Sequence, residues 1–135
     1  MDPCVFCEIA KKRMEAEIVF EDNYVMAFLD SDPINEGHIL LMPKDHFQDV
    51  DVMPEYMLHH LMDISQQMVA AIKKTYRPDG YSMMQNGGMF NDIGHYHLHI
   101  FPRYKGDGFG WMMGSGRPTA DNKIAQKIIS NIKRA

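Results

Sequence analysis

The sequence predicts an α+β fold, built on an antiparallel sheet of about five strands with one long helix. Three features indicate this class. Two β-prone runs flank a turn signal within residues 18–29, which is typical of a hairpin. Apolar residues recur at three- and four-residue steps over 57–76, which indicates a helix with one buried stripe. Histidines alternate with strand-forming residues over 95–99, as in a strand with one polar face.

The remaining segments complete a single layer of strands covered by helices. The loop-forming run Asp30–Gly37 separates the hairpin from a largely buried strand that Pro43 ends. The turn formers of 77–80 stop the long helix. The other predicted elements are strands at 18–20, 24–29, 38–42 and 81–84, a short helix near 8–13 and a closing amphipathic helix at 124–132.

Length and composition predict one domain over residues 1–135. The 45% apolar and 24% charged residues are ordinary for a globular domain. A net charge of -4 gives no broad basic surface of the kind that binds nucleic-acid polymers. Neither a membrane-spanning apolar run nor a signal-peptide pattern is present, so we expect a cytoplasmic protein without a membrane partner.

The alternating histidines are the first candidate functional residues. Side chains two apart on a strand point to one face, so His95, His97 and His99 form a row while their apolar neighbours face the core. Imidazoles at neutral pH can act as nucleophile, proton carrier or metal ligand. The alternative is a row of exposed histidines or a nonspecific metal site. The glycine-rich loop over 85–94 disfavours it, because glycine amides and short polar side chains suit a phosphate held close to the chain.

These residues carry a resemblance to a known family. The run from His95 to Phe101 fits the histidine-triad pattern, in which three histidines alternate with hydrophobic residues. Phe28-Leu29-Asp30, Gly37-His38-Ile39-Leu40 and Pro43-Lys44-Asp45-His46 look like the N-terminal half of that family, and the run from Pro102 to Gly110 is similar to its bacterial branch. The resemblance covers roughly residues 4–110.

The resemblance implies a nucleotide hydrolase or transferase that works in two steps. His97 would attack the α-phosphorus and become nucleotidylated, after which water would release a nucleoside monophosphate. His99 would hydrogen-bond the transferring phosphate and assist the leaving group. Covalent catalysis of this kind divides one hard displacement into two easier ones.

The resemblance also implies a set of substrate-binding residues. Asp30 matches an acidic residue that binds ribose hydroxyls, and His38 matches a histidine near the phosphate pocket. Loop residues Asn86, Asn91 and Asp92 are expected to bind substrate. Asn91 and Asp92 depart from the usual glutamine followed by serine or threonine, and a carboxylate at Asp92 would repel a phosphate unless it orients a histidine or takes a proton. Taken alone, Asp30 and His38 also fit a turn aspartate and a buried strand histidine.

The pair Cys4 and Cys7 suggests zinc. In a reducing compartment this spacing indicates redox or metal chemistry, and no preceding strand gives it a thioredoxin-like setting. Structural zinc commonly takes four ligands, two of them from such a pair. The natural partners are His46 and His95, and the four positions match a zinc-binding branch of the histidine-triad family. Two terminal thiols without a metal are the alternative.

The leading hypothesis is therefore a hydrolase of purine nucleoside phosphoramidates or dinucleoside polyphosphates. A nucleotide-binding scaffold with vestigial catalysis is a second hypothesis, which the three retained histidines disfavour. A uridylyltransferase is a third, disfavoured by a chain of 135 residues. Members of the family are generally dimers, so we expect a homodimer in which the tail from Gly108 through Met113, with Trp111, reaches the partner's pocket.

Overall fold

The fold class predicted from the sequence is confirmed by a computed structural model, which describes residues 4–132. The ends of the predicted domain, 1–3 and 133–135, lie outside the described residues. Two short 3-10 turns, Val50–Val52 and Gly88–Phe90, lie in the loops. The helices and strands are α1 (Val5–Ala10), β1 (Ile18–Glu21), β2 (Val25–Leu29), β3 (Ile39–Pro43), α2 (Glu55–Tyr76), β4 (Gly80–Met84), β5 (Leu98–Arg103) and α3 (Asn122–Ile129).

The bounds of several elements differ from the sequence prediction, and three of these differences lie next to the candidate site. Helix α1 begins at Val5 rather than near Glu8, because the Cys4 thiol caps it by accepting the Cys7 N–H. Strand β3 is shifted by one residue and includes Pro43. Strand β5 begins only at Leu98, so the first two triad histidines lie just before the ladder rather than within it.

The five strands form one antiparallel sheet in the order β1-β2-β3-β5-β4. The predicted hairpin is the β1-β2 pair. The central strand β3 is buried at every position, as a strand covered on both faces must be. Because it pairs with β5 in the register Leu40 opposite His99, the last triad histidine lies at the middle of the sheet.

Period-two alternation divides the sheet residues between two cores. One face packs against the apolar stripe of α2, including Leu61, Ile64 and Ile72. The opposite face packs against Phe6 and Ile9 of α1. From the strands, the α2 side receives Val25, Ala27, Ile39, Leu41, Leu98 and Ile100, and the α1 side receives Met26, Phe28, Leu40 and Met42.

The long helix and the loop before β3 meet at a tight contact. Helix α2 ends at Tyr76, and Arg77 follows in the left-handed conformation with φ of 48°. Gly37 has φ of 88°, and a Cβ there would lie 2.4 Å from the Tyr76 ring. Glycine is therefore required at this position, just before the buried His38 and strand β3.

The C-terminal segment packs little on the body. Helix α3 has no buried residue, and Trp111 is 96% exposed. Ile128 and Met112 are exposed as well, so the predicted closing helix carries an uncovered apolar face. None of the helices within residues 4–132 combines the length and apolar character needed to cross a membrane.

Candidate functional site

The histidine segment crosses the molecule with its side chains divided as the alternation predicts. Tyr96 joins the α2 core with Leu98, whereas His95 and His97 lie on the α1 side and are buried. Phe6 of α1 packs edge-on against His97, with ring centroids 4.9 Å apart. This phenylalanine lies between the two cysteines, and the sequence analysis did not single it out.

His95 belongs to a cluster of metal-ligand type with Cys4, Cys7 and His46. The four ligand atoms all lie within 4.8 Å of one another. The His95 Nδ1 atom is 3.4 Å from the Cys4 sulfur and 3.5 Å from the Cys7 sulfur, and His46 Nδ1 is 3.3 Å from the Cys7 sulfur. The structure therefore brings together the four residues predicted from the sequence, in an arrangement that could hold a metal ion.

The surroundings prepare this cluster for a cation. His95 donates its Nε2–H to the Pro43 carbonyl at 2.8 Å, which leaves the Nδ1 lone pair directed at the sulfur atoms. Burial lowers the pKa of His95 to about 4, so the ring is neutral at neutral pH. Burial, with the Cys4 thiol beside it, raises the pKa of the Cys7 thiol to about 11. A bound cation acts in the opposite direction, because it stabilises the thiolate.

His38 and His99 form a second cluster with Asp30. The Ile34 N–H donates to His38 Nδ1 at 3.0 Å, so neutral His38 carries its proton on Nε2. That Nε2–H donates to His99 Nδ1, also at 3.0 Å. As Nδ1 of His99 is an acceptor, its own proton lies on Nε2. A backbone amide thus determines the tautomers of both rings.

Burial maintains this neutral pair. It lowers the pKa of His38, against the opposing charge of Asp30, whose carboxylate is 3.5 Å away. It lowers the pKa of His99 to about 4, with His97 and His38 acting in the same direction. The three side chains lie close enough together to ligate a metal ion. However, His38 Nδ1 already accepts the Ile34 N–H, so the proton of His38 lies on Nε2, the nitrogen that faces the other two side chains. The cluster is therefore a hydrogen-bond relay rather than a cation site.

His97 has the opposite tautomer. Its Nδ1–H donates to the carbonyl of His95 at 2.8 Å, so the lone pair of the neutral ring lies on Nε2. The rings of His97 and His99 have centroids 4.9 Å apart. His97 therefore offers a basic nitrogen, and the neighbouring His99 offers an N–H hydrogen-bond donor.

Both rings line a cavity of ≈ 810 Å³ on the α1 side of the sheet. Part of its wall is apolar and comes from Phe6, Ile9, Phe28, Leu40 and Ile93. Its polar wall includes the predicted residues Asp30, Asn86 and Asp92. His38 does not line the cavity and lies behind His99, which it holds in place.

The loop over 85–94 differs from the expected phosphate cradle. The Gly88 N–H is taken by the Asp49 carboxylate at 3.0 Å, and the Gly94 N–H by the Asn91 side chain at 3.0 Å. Asn91 is buried, and its amide also donates to the Gln48 carbonyl. It does not line the cavity, so the expected contact of Asn91 with a phosphate is replaced by a role in shaping the loop.

The sheet, the paired histidines and the adjoining Cys/His cluster define an α+β protein with a histidine-lined cavity beside a candidate metal site. The family model described as HIT domain matches residues 11–106, and the chain belongs to that family. The resemblance inferred from the sequence is confirmed.

Relatives of known sequence span most of the chain. An uncharacterised HIT-like protein of Methanocaldococcus jannaschii is 40% identical over 107 residues, which are 78% of this chain and 82% of that protein. Protein hit of Bacillus subtilis is 36% identical over 134 residues, which are 97% of this chain and 92% of its own. The adenosine 5'-monophosphoramidase HNT1 of Saccharomyces cerevisiae is 33% identical over 102 residues, which are 74% of this chain and 62% of that enzyme.

Solved structures of the family share the fold. A HIT family protein from Bacillus subtilis superposes with a TM-score of 0.88 and 30% identity, covering 99% of this chain and 100% of that one. A zinc-bound histidine triad protein from Mycobacterium smegmatis has a TM-score of 0.74 and 30% identity, covering 84% of each chain.

Proposed function

We propose that this protein is a nucleotide hydrolase that cleaves at the α-phosphate of purine nucleoside phosphoramidates or dinucleoside polyphosphates through His97. The observation that carries the proposal is the hydrogen bond from His97 Nδ1 to the His95 carbonyl, 2.8 Å long, which leaves Nε2 as the nucleophile. The relative named as an adenosine 5'-monophosphoramidase supports the reaction class.

In the first step, His97 Nε2 forms a bond to the α-phosphorus while the bond from phosphorus to the leaving nitrogen or oxygen breaks. The leaving group takes a proton from the solvent as it departs, while His99 keeps its own proton and donates an Nε2–H hydrogen bond to the transferring phosphate. His38 supports this contact, because its Nε2–H stays on His99 Nδ1 and holds the ring in orientation. Donors placed where negative charge develops stabilise the transition state.

In the second step, water attacks the phosphorus and the bond to His97 breaks, releasing a nucleoside monophosphate. The proton lost by the water returns to the solvent and balances the proton that the leaving group took up. The lowered pKa of His99, about 4, favours its neutral form throughout the neutral range. The neutral ring therefore keeps its Nε2–H as a hydrogen-bond donor through both steps.

The cavity wall suits a nucleoside. A purine ring would pack on the apolar side chains around Phe28 and Leu40, since flat apolar ligand surface is stabilised by such contacts. Asp30 lines the cavity beside His99 and has the acceptor oxygens that ribose hydroxyls require. Asn86 also lines the cavity and supplies a side-chain amide.

Zinc is the metal we propose for the cluster of Cys4, Cys7, His46 and His95. Zinc–sulfur and zinc–nitrogen bonds of about 2.3 and 2.0–2.1 Å at tetrahedral angles separate sulfur and nitrogen ligands by about 3.6 Å. The corresponding distances of 3.3–3.5 Å fit this geometry. With four protein ligands the ion would be structural, a cross-link between α1 and the histidine segment.

Trapping tests the mechanism. The full chain is incubated with radiolabelled adenosine 5'-phosphoramidate, quenched in base and digested, and the peptide that contains His97 is examined for added nucleotide mass. His97→Ala should lose labelling and turnover, whereas His59→Ala, which changes an exposed histidine on α2, should keep both. Full turnover in His97→Ala would refute the mechanism. Tight nucleotide binding without turnover in the wild type would favour the scaffold hypothesis.

We also propose that residues 1–135 act as one HIT domain in the cytoplasm and as a homodimer. The free cysteines of the pair suit a reducing compartment. The exposed apolar side chains of Trp111 and α3 support association, because a second copy could cover them. Sedimentation of the full chain tests the dimer, and a monomer at micromolar concentration would contradict it.

A further inference from the structure

The charge of the cavity wall is unusual for a site that receives phosphates. Four carboxylates line it, from Glu15, Glu17, Asp30 and Asp92. Within residues 4–132, no lysine or arginine is part of the lining. The other polar lining residues are Ser31, Asn86, His97 and His99, so among the described residues the wall holds no ammonium or guanidinium group. A substrate therefore meets an excess of negative charge.

Asp92 lines the same cavity as His97 and His99, and it is the carboxylate that we assign to the leaving group. Asp30 lies at the end of β2 beside His99, where it suits a ribose, and Glu15 and Glu17 follow α1 near the apolar wall. Asp92 lies on the loop that leads directly into the histidine segment. Among the described residues its carboxylate accepts no hydrogen bond and forms no ion pair, so its charge is not neutralised within the chain.

The possible leaving groups differ in charge more than in shape. A polyphosphate leaving group carries several negative charges, which would face Asp92 without a cation to compensate them. An amine leaving group is neutral or, where it bears a second amino group, positive. Like charges that face one another lower the association rate and the affinity of that ligand, whereas opposite charges raise both, so a site with one sign of charge discriminates between ligands.

We propose that Asp92 is a specificity-determining residue that selects substrates by the charge of the leaving group. The site favours phosphoramidates whose amine bears a further positive charge, and it discriminates against anionic leaving groups, including polyphosphates. The inference rests on the proposed function and chooses between its two substrate classes.

The expected size of the effect follows from Coulomb's law. At an effective dielectric constant of about 20, a unit charge about 12 Å away still changes an affinity by roughly tenfold. Salt at about 0.1 M screens such interactions over about 10 Å. Each unit of leaving-group charge therefore contributes up to about tenfold. Removal of the Asp92 charge should change the preference between oppositely charged leaving groups by at least about tenfold at low salt, and by less at high salt.

The test uses three adenosine 5'-phosphoramidates that differ only in the amine substituent, which is aminoethyl, hydroxyethyl or carboxymethyl. At pH 7 and low salt, kcat/KM of the full chain should fall in that order, by at least about tenfold from first to last. Diadenosine tetraphosphate should be poorer than the hydroxyethyl compound. Asp92→Asn should reduce the ratio of kcat/KM between the aminoethyl and carboxymethyl compounds by at least about tenfold. The exposed Asp51→Asn, which makes the same charge change outside the cavity, should leave that ratio unchanged.

Equal kcat/KM values for the three compounds, or an unchanged range in Asp92→Asn, would overturn the inference. Failure of the proposed function is distinguishable, because then none of the compounds would be hydrolysed. In that case calorimetric Kd values for adenosine 5'-monophosphate esters with the same three substituents decide the matter. Charge selection by Asp92 is supported if the three affinities follow the same order and Asp92→Asn reduces the differences between them. Equal affinities for the three esters refute it.

Discussion

Acidification should lower the free energy of unfolding through protonation of His99 in the unfolded chain, and His99→Asn should remove this contribution. The folded state holds the pKa of His99 near 4 by burial, against 6.5 for an unperturbed histidine. The unfolded chain therefore binds a proton that the folded chain resists, so the stabilisation is complete above pH 6.5 and is lost as the pH falls towards 4.

The magnitude follows from these two values. Linkage between pKa values of 6.5 and about 4 gives a loss of roughly 2 kcal/mol between pH 7 and pH 5. Because the side chain is 21% exposed, water screens part of the effect, and about 1–2 kcal/mol is expected. In His99→Asn the amide oxygen can replace Nδ1 as acceptor of the His38 proton, so the hydrogen bond stays while the titration is removed.

Urea unfolding of the wild type and His99→Asn at pH 7 and pH 5 provides the assay. The free energy of unfolding should fall by about 1–2 kcal/mol more in the wild type than in the variant. Any loss of metal on acidification occurs in both proteins and cancels in the comparison. If the stability difference between the two proteins is the same at both pH values, the assignment of a depressed pKa to a buried neutral His99 is wrong.

Two further predictions concern the framework of the site. Gly37→Ala should lower the free energy of unfolding by about 1–3 kcal/mol, because its φ of 88° is strained for alanine and the new Cβ would meet the Tyr76 ring. Gly80→Ala, where a Cβ meets nothing within 4 Å, should cost less, and equal losses in urea unfolding would contradict this account. His46→Ala should reduce the zinc content of the purified protein and its stability by about 3 kcal/mol or more. His59→Ala is the control, and an unchanged zinc content in His46→Ala, measured by atomic emission, would refute the assigned ligand set.

Local sequence pattern was sufficient to predict most of the fold. The stripe from Met57 to Tyr76 predicts α2, and the turn signal at 21–23 predicts the first hairpin, because both depend on residues close in sequence. The start of α1 was placed wrongly. A thiol at Cys4 is an uncommon cap, and its use depends on the local geometry of the pair rather than on helix propensity.

The loop before the histidines shows why parts of the site could not be predicted. Its composition suggests free glycine amides, but Gly88 is bound by Asp49 and Gly94 by Asn91. The local sequence does not show whether the N–H groups of Gly88 and Gly94 bind a ligand or another part of the chain. For Gly88 the partner is Asp49, which lies 39 residues away in the chain and reaches it only through the tertiary fold.

The sequence by itself determined that the triad histidines face away from the apolar stripe of α2, because side chains alternate between the two faces of an extended chain. It also determined which four residues could form a Cys/His cluster. Only the tertiary structure decided the chemistry of each ring. The Ile34 amide, the Pro43 carbonyl and the His95 carbonyl choose which nitrogen of His38, His95 and His97 carries the proton. Imidazole has two nearly equivalent nitrogens, and the backbone group that lies beside one of them is what makes them different.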